Sequence, residues 1–142
     1  LLATTGDPMV IPSLNRDGDL LSDMVLQVFG SIAGSESLVI SVNDQMQVDG
    51  VMAEAPHGTA PRLQGMNVAN PMAMILAGAA LLGHMKEPEA KRASRAIYEG
   101  TLEAVYDGHR TADIGGSSKT DEFTDEVIRR VKSKLEVWST LA

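Results

Sequence analysis

His57-Gly58-Thr59-Ala60-Pro61-Arg62-Leu63-Gln64-Gly65, running on through Asn67-Val68-Ala69-Asn70-Pro71 into an apolar stretch, is the part of the chain from which the rest can be read. Gly58, Pro61 and Gly65 break any regular period, so 57–65 is a loop. Asn70-Pro71 then reads as a helix start, with Asn as the cap and Pro in the first turn, where its missing N–H is not needed. A loop that feeds a helix in this way can hold a small ligand. Gly58 lets backbone approach closely, His57 and Thr59 offer polar edges, and the free N–H groups of a helix start favour an anion or a sugar edge. An ordinary strand-to-helix connection uses the same residue types, and the loop by itself leaves both readings open.

On the N-terminal side, Met9-Val10-Ile11-Pro12 suits a short buried strand. From Gly18 to about Phe29, the positions of Leu20, Leu21, Met24, Val25, Val28 and Phe29 predict an amphipathic helix that stops at Gly30, with Asp17 and Asp19 near its positive end. Leu38-Val39-Ile40-Ser41-Val42 and 48–55, separated by Asn43-Asp44-Gln45, predict a hairpin.

Beyond the loop, 71–84 is apolar almost all round, which predicts a helix buried in the core or in a subunit interface, with Met72, Met74 and Met85 as packing residues. Pro88 opens a further helix ending before Asp107-Gly108, with Ala90, Ala93, Ile97, Leu102 and Val105 on its apolar side. The last helix, 121–138, carries Phe123, Val127, Ile128, Val131 and Leu135 on one stripe. Its acids lead and its bases follow, as the helix dipole favours. Strands mixed with three or four long helices give an α/β class, and 142 residues fit a single domain.

Composition narrows the function. With 12 Lys plus Arg against 19 Asp plus Glu, the net charge of −7 leaves no basic footprint for nucleic acid. There is no Cys, which removes disulfides, thiolate catalysis and Cys-ligated zinc. The longest apolar run, 73–82, is too short to span a bilayer, so a cytoplasmic or organelle-matrix protein is expected. The chain opens on Leu1-Leu2 without Met, as though cut, which leaves a piece of a longer protein and a short module both open.

Asp19 and Asp23 are four residues apart, which puts two hard carboxylates on one face of a helix, a spacing suited to a divalent cation or to a merely solvated acidic turn. A calcium loop starting at Ser13 fails, because its twelfth position is Met24 where a bidentate Glu is needed.

Three segments together resemble the isocitrate and isopropylmalate dehydrogenase family of metal-dependent oxidative decarboxylases. They are the loop already quoted, Asn15-Arg16-Asp17-Gly18-Asp19-Leu20-Leu21-Ser22-Asp23, and Arg110-Thr111-Ala112-Asp113-Ile114-Gly115-Gly116 followed by Glu122-Phe123-Thr124-Asp125, in the family's order. The resemblance implies that residues 1–142 form a single α/β fragment, the C-terminal portion of an isopropylmalate-dehydrogenase-like fold with its N-terminal part absent. It implies Mg or Mn held by Asp19 and Asp23, with a third ligand from a partner or an upstream segment. It implies adenosine contacts from His57, Gly58, Thr59, Ala60, Pro61, Arg62, Leu63 and Asn70, further coenzyme contacts from Asp113 and Ile114, and Glu54, taken as buried, on the nicotinamide side.

Arg62 stands where users of the unphosphorylated coenzyme often carry Asp, and its fork suits a 2′-phosphate. Asp113-Ile114 fits NAD instead; NAD is expected, with NADP left open. The family's catalytic Lys and Tyr and its substrate-gripping arginines belong upstream, so no catalytic residue is expected in this span, and His57, His84 and His109 do not replace them. The region between Gly30 and Glu54 also carries extra residues relative to the family. The implied whole is a homodimer, or a chain paired with a complete catalytic partner, acting on a malate-like 2-hydroxy acid. A non-catalytic nucleotide-binding module or regulatory subunit is the alternative.

Overall fold

The computed structural model describes residues 10–28 and 31–140. In chain order these form α1 (Asn15–Val28), a 3-10 turn (Ile32–Gly34), β1 (Ser37–Val42), β2 (Val48–Glu54), a 3-10 turn (Pro61–Leu63), α2 (Met72–Gly83), α3 (Pro88–Tyr106), a 3-10 turn (Ala112–Ile114) and α4 (Thr120–Thr140). The α/β class and the four long helices agree with the sequence.

β1 and β2 pair antiparallel, Ser37 opposite Glu54 and Ile40 opposite Val51, with an irregularity after Ser41. The turn forms because Asn43 Oδ1 accepts from the N–H groups of Gln45 at 3.0 Å and Gln47 at 2.9 Å, a side chain standing in for a backbone turn acceptor. One face of β2 packs on α2, half-burying Val51 and Ala53. Alternation along the strand puts Met52 and Glu54 on the other face, in solvent. Glu54 is therefore exposed, contrary to the expected burial.

The strand expected at 9–12 does not form over its described residues. Val10 and Ile11 are irregular and exposed, because no described strand lies beside them to take their backbone hydrogen bonds; Met9, Phe29 and Gly30 lie outside the described residues. Helix α1 begins at Asn15, earlier than the period of its apolar residues suggested, and buries none of its side chains. Leu20, Met24 and Val28 are each more than half exposed, so its apolar stripe is bare.

The core lies where α2, α3 and α4 meet, around Met72, Leu76, Ala104, Phe123 and Val127. The helix α2 is buried on one side only. Met72 packs inside, but Met74 is 60% exposed and Leu81 and Met85 45% each, so two of the three methionines expected to fill gaps are at the surface.

On α3 the buried residues are Ser94, Ala96, Gly100, Thr101 and Ala104, whereas Leu102 is exposed. The difference has a packing reason: α3 is flanked by α2 and α4, and close helix contact selects small residues over large apolar ones. A Cβ on Gly100 would meet Arg130 Cβ and Val131 Cγ2 at 3.3 Å. Helix α4 buries Phe123 and Val127, half-buries Val131 and Leu135, and leaves Ile128 exposed.

Candidate functional site

β2 delivers the chain at Glu54 into the loop 55–71, which α2 then takes up. The loop is shaped by backbone in the left-handed region at Ala60 (φ +42°), Gly65 (φ +77°) and Asn67 (φ +58°). Leu63 N–H donates to Ala60 O at 2.9 Å and closes the 3-10 turn. Thr59, Ala60, Pro61, Leu63, Gln64 and Ala69 line an open cleft of about 350 Å³ along this loop. Four of those six were expected from the sequence as coenzyme contacts. His57, Gly58 and Arg62 are exposed outside its lining, and His57 Nδ1 donates to Gly58 O at 3.0 Å.

The foot of the loop is fastened twice. Asn67 Oδ1 accepts from Asp121 N–H at 3.1 Å, and Thr120 Oγ1 donates to Ala69 O at 2.6 Å, so the start of α4 holds the strip 67–69. The cap position of α2 is Pro71, one residue later than expected, and Asn70 Oδ1 accepts from Met72 N–H at 3.0 Å, satisfying the first N–H of the helix. The same amide donates from Nδ2 to Asp113 Oδ2 at 3.0 Å. Two segments that the sequence proposed for coenzyme contact, 43 residues apart, thus meet side chain to side chain.

Asp113 accepts two further hydrogen bonds, from Ser31 Oγ at 3.1 Å and from Thr111 Oγ1 at 2.5 Å. Partial burial opposes its charge, but the donors Thr111, Asn70 and Ser31 outweigh that and hold its carboxyl below the usual carboxylate range. Ile114 faces a different, mainly apolar cleft of about 550 Å³, with Leu26, Met72, Val105 and Arg110 on its walls. The expected coenzyme residues are therefore divided between two clefts, and Asn70 and Asp113 join them.

Asp19 and Asp23 both lie exposed on α1, and Ser22 Oγ donates to Asp19 O at 3.0 Å. As hard oxygen donors one turn apart they suit Mg or Mn, which takes few carboxylates and keeps several waters. Among the described residues no group of three or more His, Asp or Glu side chains gathers to complete such a site.

Sequence reasoning missed Ser31, whose only signal was a hydroxyl near a turn, and gave no role to Thr111 within the quoted 110–116 segment. It also found no partner for His109, whose Nε2 lies 3.7 Å from Glu126 Oε1. Glu126 in turn is gripped by Arg129 and Arg130, and Arg130 reaches Asp107 at the end of α3. The hydrogen bond from Arg129 is the largest influence on Glu126; with Arg130 it outweighs burial and lowers that carboxyl to about 2.

Residues 4–127 match the isocitrate/isopropylmalate dehydrogenase family. The chain is 39% identical over 123 residues to isocitrate dehydrogenase (NAD) catalytic subunit 6, mitochondrial, of Arabidopsis thaliana, covering 85% of this chain and 30% of that protein. It is 34% identical over 130 residues to a mitochondrial isocitrate dehydrogenase (NAD) regulatory subunit of Dictyostelium discoideum, covering 91% and 34%. The crystal structure of isocitrate dehydrogenase from Methylococcus capsulatus superposes with a TM-score of 0.65 at 32% identity, over 80% of this chain and 32% of that one. The fold is that of the decarboxylating dehydrogenases, and the chain belongs to the isocitrate/isopropylmalate dehydrogenase family. It spans about a third of the length of these relatives.

Proposed function

We propose that this chain carries the nucleotide-facing loop and two metal-facing carboxylates of an NAD-dependent oxidative decarboxylase acting on a malate-like 2-hydroxy acid, and that residues 1–142 alone form an inactive single unit. The observation that carries the reading is the Asn70–Asp113 hydrogen bond, which joins two separately expected coenzyme segments beside the cleft lined by Thr59, Ala60, Pro61 and Leu63. The relatives named as NAD enzymes support NAD over NADP. Arg62, exposed and in no ion pair among the described residues, keeps a phosphate-reading group at the same lip.

When bound, the coenzyme would supply a hydride acceptor for oxidation of a 2-hydroxy acid and a divalent cation would supply Lewis acidity. Asp19 and Asp23 are the residues of this chain that would hold that cation. The loop backbone at 59–63 and the side chain of Asn70 would seat and orient the adenosine end, and Glu54, exposed at the end of β2, would face the nicotinamide end. Proton transfer and grip on the substrate carboxylates fall to residues this chain does not carry.

The bare stripe of α1 (Leu20, Met24, Val28) and the outer face of the hairpin (Val39, Met52) support a role inside a larger assembly, a homodimer or a pair with a complete catalytic chain. No helix among the described residues is long and apolar enough to cross a membrane. The relatives named mitochondrial favour an organelle matrix over the cytosol.

Titration calorimetry of the chain with NAD, NADP and Mn²⁺, beside an assay with isocitrate and isopropylmalate, tests the proposal. Saturable NAD binding, metal binding that Asp19→Asn or Asp23→Asn removes, and no turnover are expected. Turnover by material free of host enzyme refutes the inactivity, and failure to bind either nucleotide refutes the coenzyme role. The similarity to a regulatory subunit supports a second reading; nucleotide binding without any metal binding would favour it.

A further inference from the structure

The carboxylate of Asp113 has three of its roughly four acceptor directions taken by the protein itself. The three donors sit on separate pieces of chain, and each is fixed to its own surroundings. Ser31 Oγ, besides donating to Asp113, accepts from Ala33 N–H at 3.1 Å and so starts the 3-10 turn that follows α1. Asn70 has its amide oxygen on the first turn of α2 and its amide nitrogen on Asp113. Thr111 is fully buried, and its carbonyl accepts from Ile114 at 3.2 Å and from Gly116 at 3.0 Å. Leu26 of α1 lines the same cleft as Ser31, so the helix bearing the acidic pair packs close to this junction.

We propose that Asp113 is a positioning residue that fixes the Ser31 segment after α1, the base of the 57–70 loop at Asn70, and the 110–116 turn in one relation to each other, and that it does so through its own protein donors and not through contact with a nucleotide. The proposal deepens the function given above, and on that reading Asp113 keeps the acidic pair of α1 in register with the coenzyme loop. The hydrogen-bond arrangement itself does not depend on which ligand the loop takes. At most one lone pair of Asp113 remains for a ribose hydroxyl, so a ligand finds a site already tied together. The alternative, in which the carboxylate grips both ribose hydroxyls at once, requires one of the three donors to leave.

Amide hydrogen exchange of the 142-residue chain, read by mass spectrometry, tests this. In Ser31→Ala, exchange is expected to rise about two- to tenfold, the effect of one lost hydrogen bond. The rise should appear in peptides covering 66–72 and 111–116 as well as 31–35, although neither of the first two is near residue 31 in sequence. Ser31→Thr, which keeps the hydroxyl, should restore protection. Asn70→Asp supplies an independent variant, since it retains an oxygen for Met72 N–H but sets a second carboxylate against Asp113. It should leave the helix content of the chain unchanged by circular dichroism and yet loosen 31–35. A rise confined to 31–35 in Ser31→Ala, or unchanged exchange at 31–35 in Asn70→Asp, overturns the proposal. NAD titration of the same variants separates the two ideas. If the parent chain binds NAD, Ser31→Ala should weaken binding severalfold though it touches no nucleotide; if it does not, the proposed function fails while exchange still decides the positioning role.

Discussion

Asn67 accepts the N–H of Asp121 through its side-chain oxygen at 3.1 Å while its own backbone sits at φ +58°, so one residue both turns the loop and caps α4. Its carbonyl also accepts from Thr120 N–H at 3.2 Å. Asn67→Ala removes the cap and places a side chain unsuited to the left-handed region, and should lower stability by about 1–2 kcal/mol. Asn67→Gly loses only the cap and should cost less. Urea midpoints of the two variants check the order, and Gly equal to or worse than Ala would contradict it.

Thr101 is fully buried in α3, and its Oγ1 has no hydrogen-bond partner among the described residues. Such a hydroxyl costs desolvation without return, so Thr101→Val, which removes it at nearly the same shape, should stabilise the chain by about 1 kcal/mol, or about 2–4 °C in melting temperature. A drop in melting temperature would show that the hydroxyl has a partner in solution.

Two helical glycines should respond in opposite directions. A Cβ added to Gly78 in α2 would meet nothing within 4 Å, so Gly78→Ala should gain about 0.5–1 kcal/mol from backbone entropy. Gly100 in α3 faces Arg130 and Val131 of α4 at 3.3 Å, so Gly100→Ala should lose about 1–3 kcal/mol by pushing the helices apart. Denaturant titration of both variants decides; stabilisation by the second would mean that the α3–α4 contact has room for a methyl group.

Acid should weaken the junction of α3 and α4. Glu126 falls from 4.5 to about 2 in the folded chain, so its contribution is fully present above pH 4.5 and is lost as pH falls from there towards 2. Asp113 and Asp121 are shifted in the same direction. In Glu126→Gln the midpoint of urea unfolding should depend less steeply on pH across that window than in the parent. Parallel curves would remove Glu126 as a source of the acid sensitivity. Because Arg129 is 65% exposed, salt should reduce the effect.

Much of the fold was legible because its signals are local. Asn70-Pro71, Pro88 and Asp107-Gly108 place helix ends within a residue or two, since capping and proline sterics act over one turn. The hairpin followed from β-branched runs flanking Asn43, whose side chain makes the turn. The three motif segments, the acidic spacing at 19 and 23, and the helix start at Asn70-Pro71 were all readable from neighbours in sequence.

Burial and partnership were not, because they depend on what arrives from far along the chain. The 10–12 run has strand chemistry but no described neighbour to pair with, and Glu54 is exposed because the register with Ser37 puts it on the sheet face away from α2. On α3, periodicity pointed to Val105, which packs against the core, and to Leu102, which is exposed, whereas contact with a helix on each flank selected Ala96, Gly100 and Ala104 for full burial. The sequence by itself determined the four long helices, the hairpin and the family to which they belong. Only the tertiary structure decided that Ser31, Asn70 and Thr111 converge on Asp113, because a hydrogen bond between residues 82 apart leaves no period or spacing by which to find it.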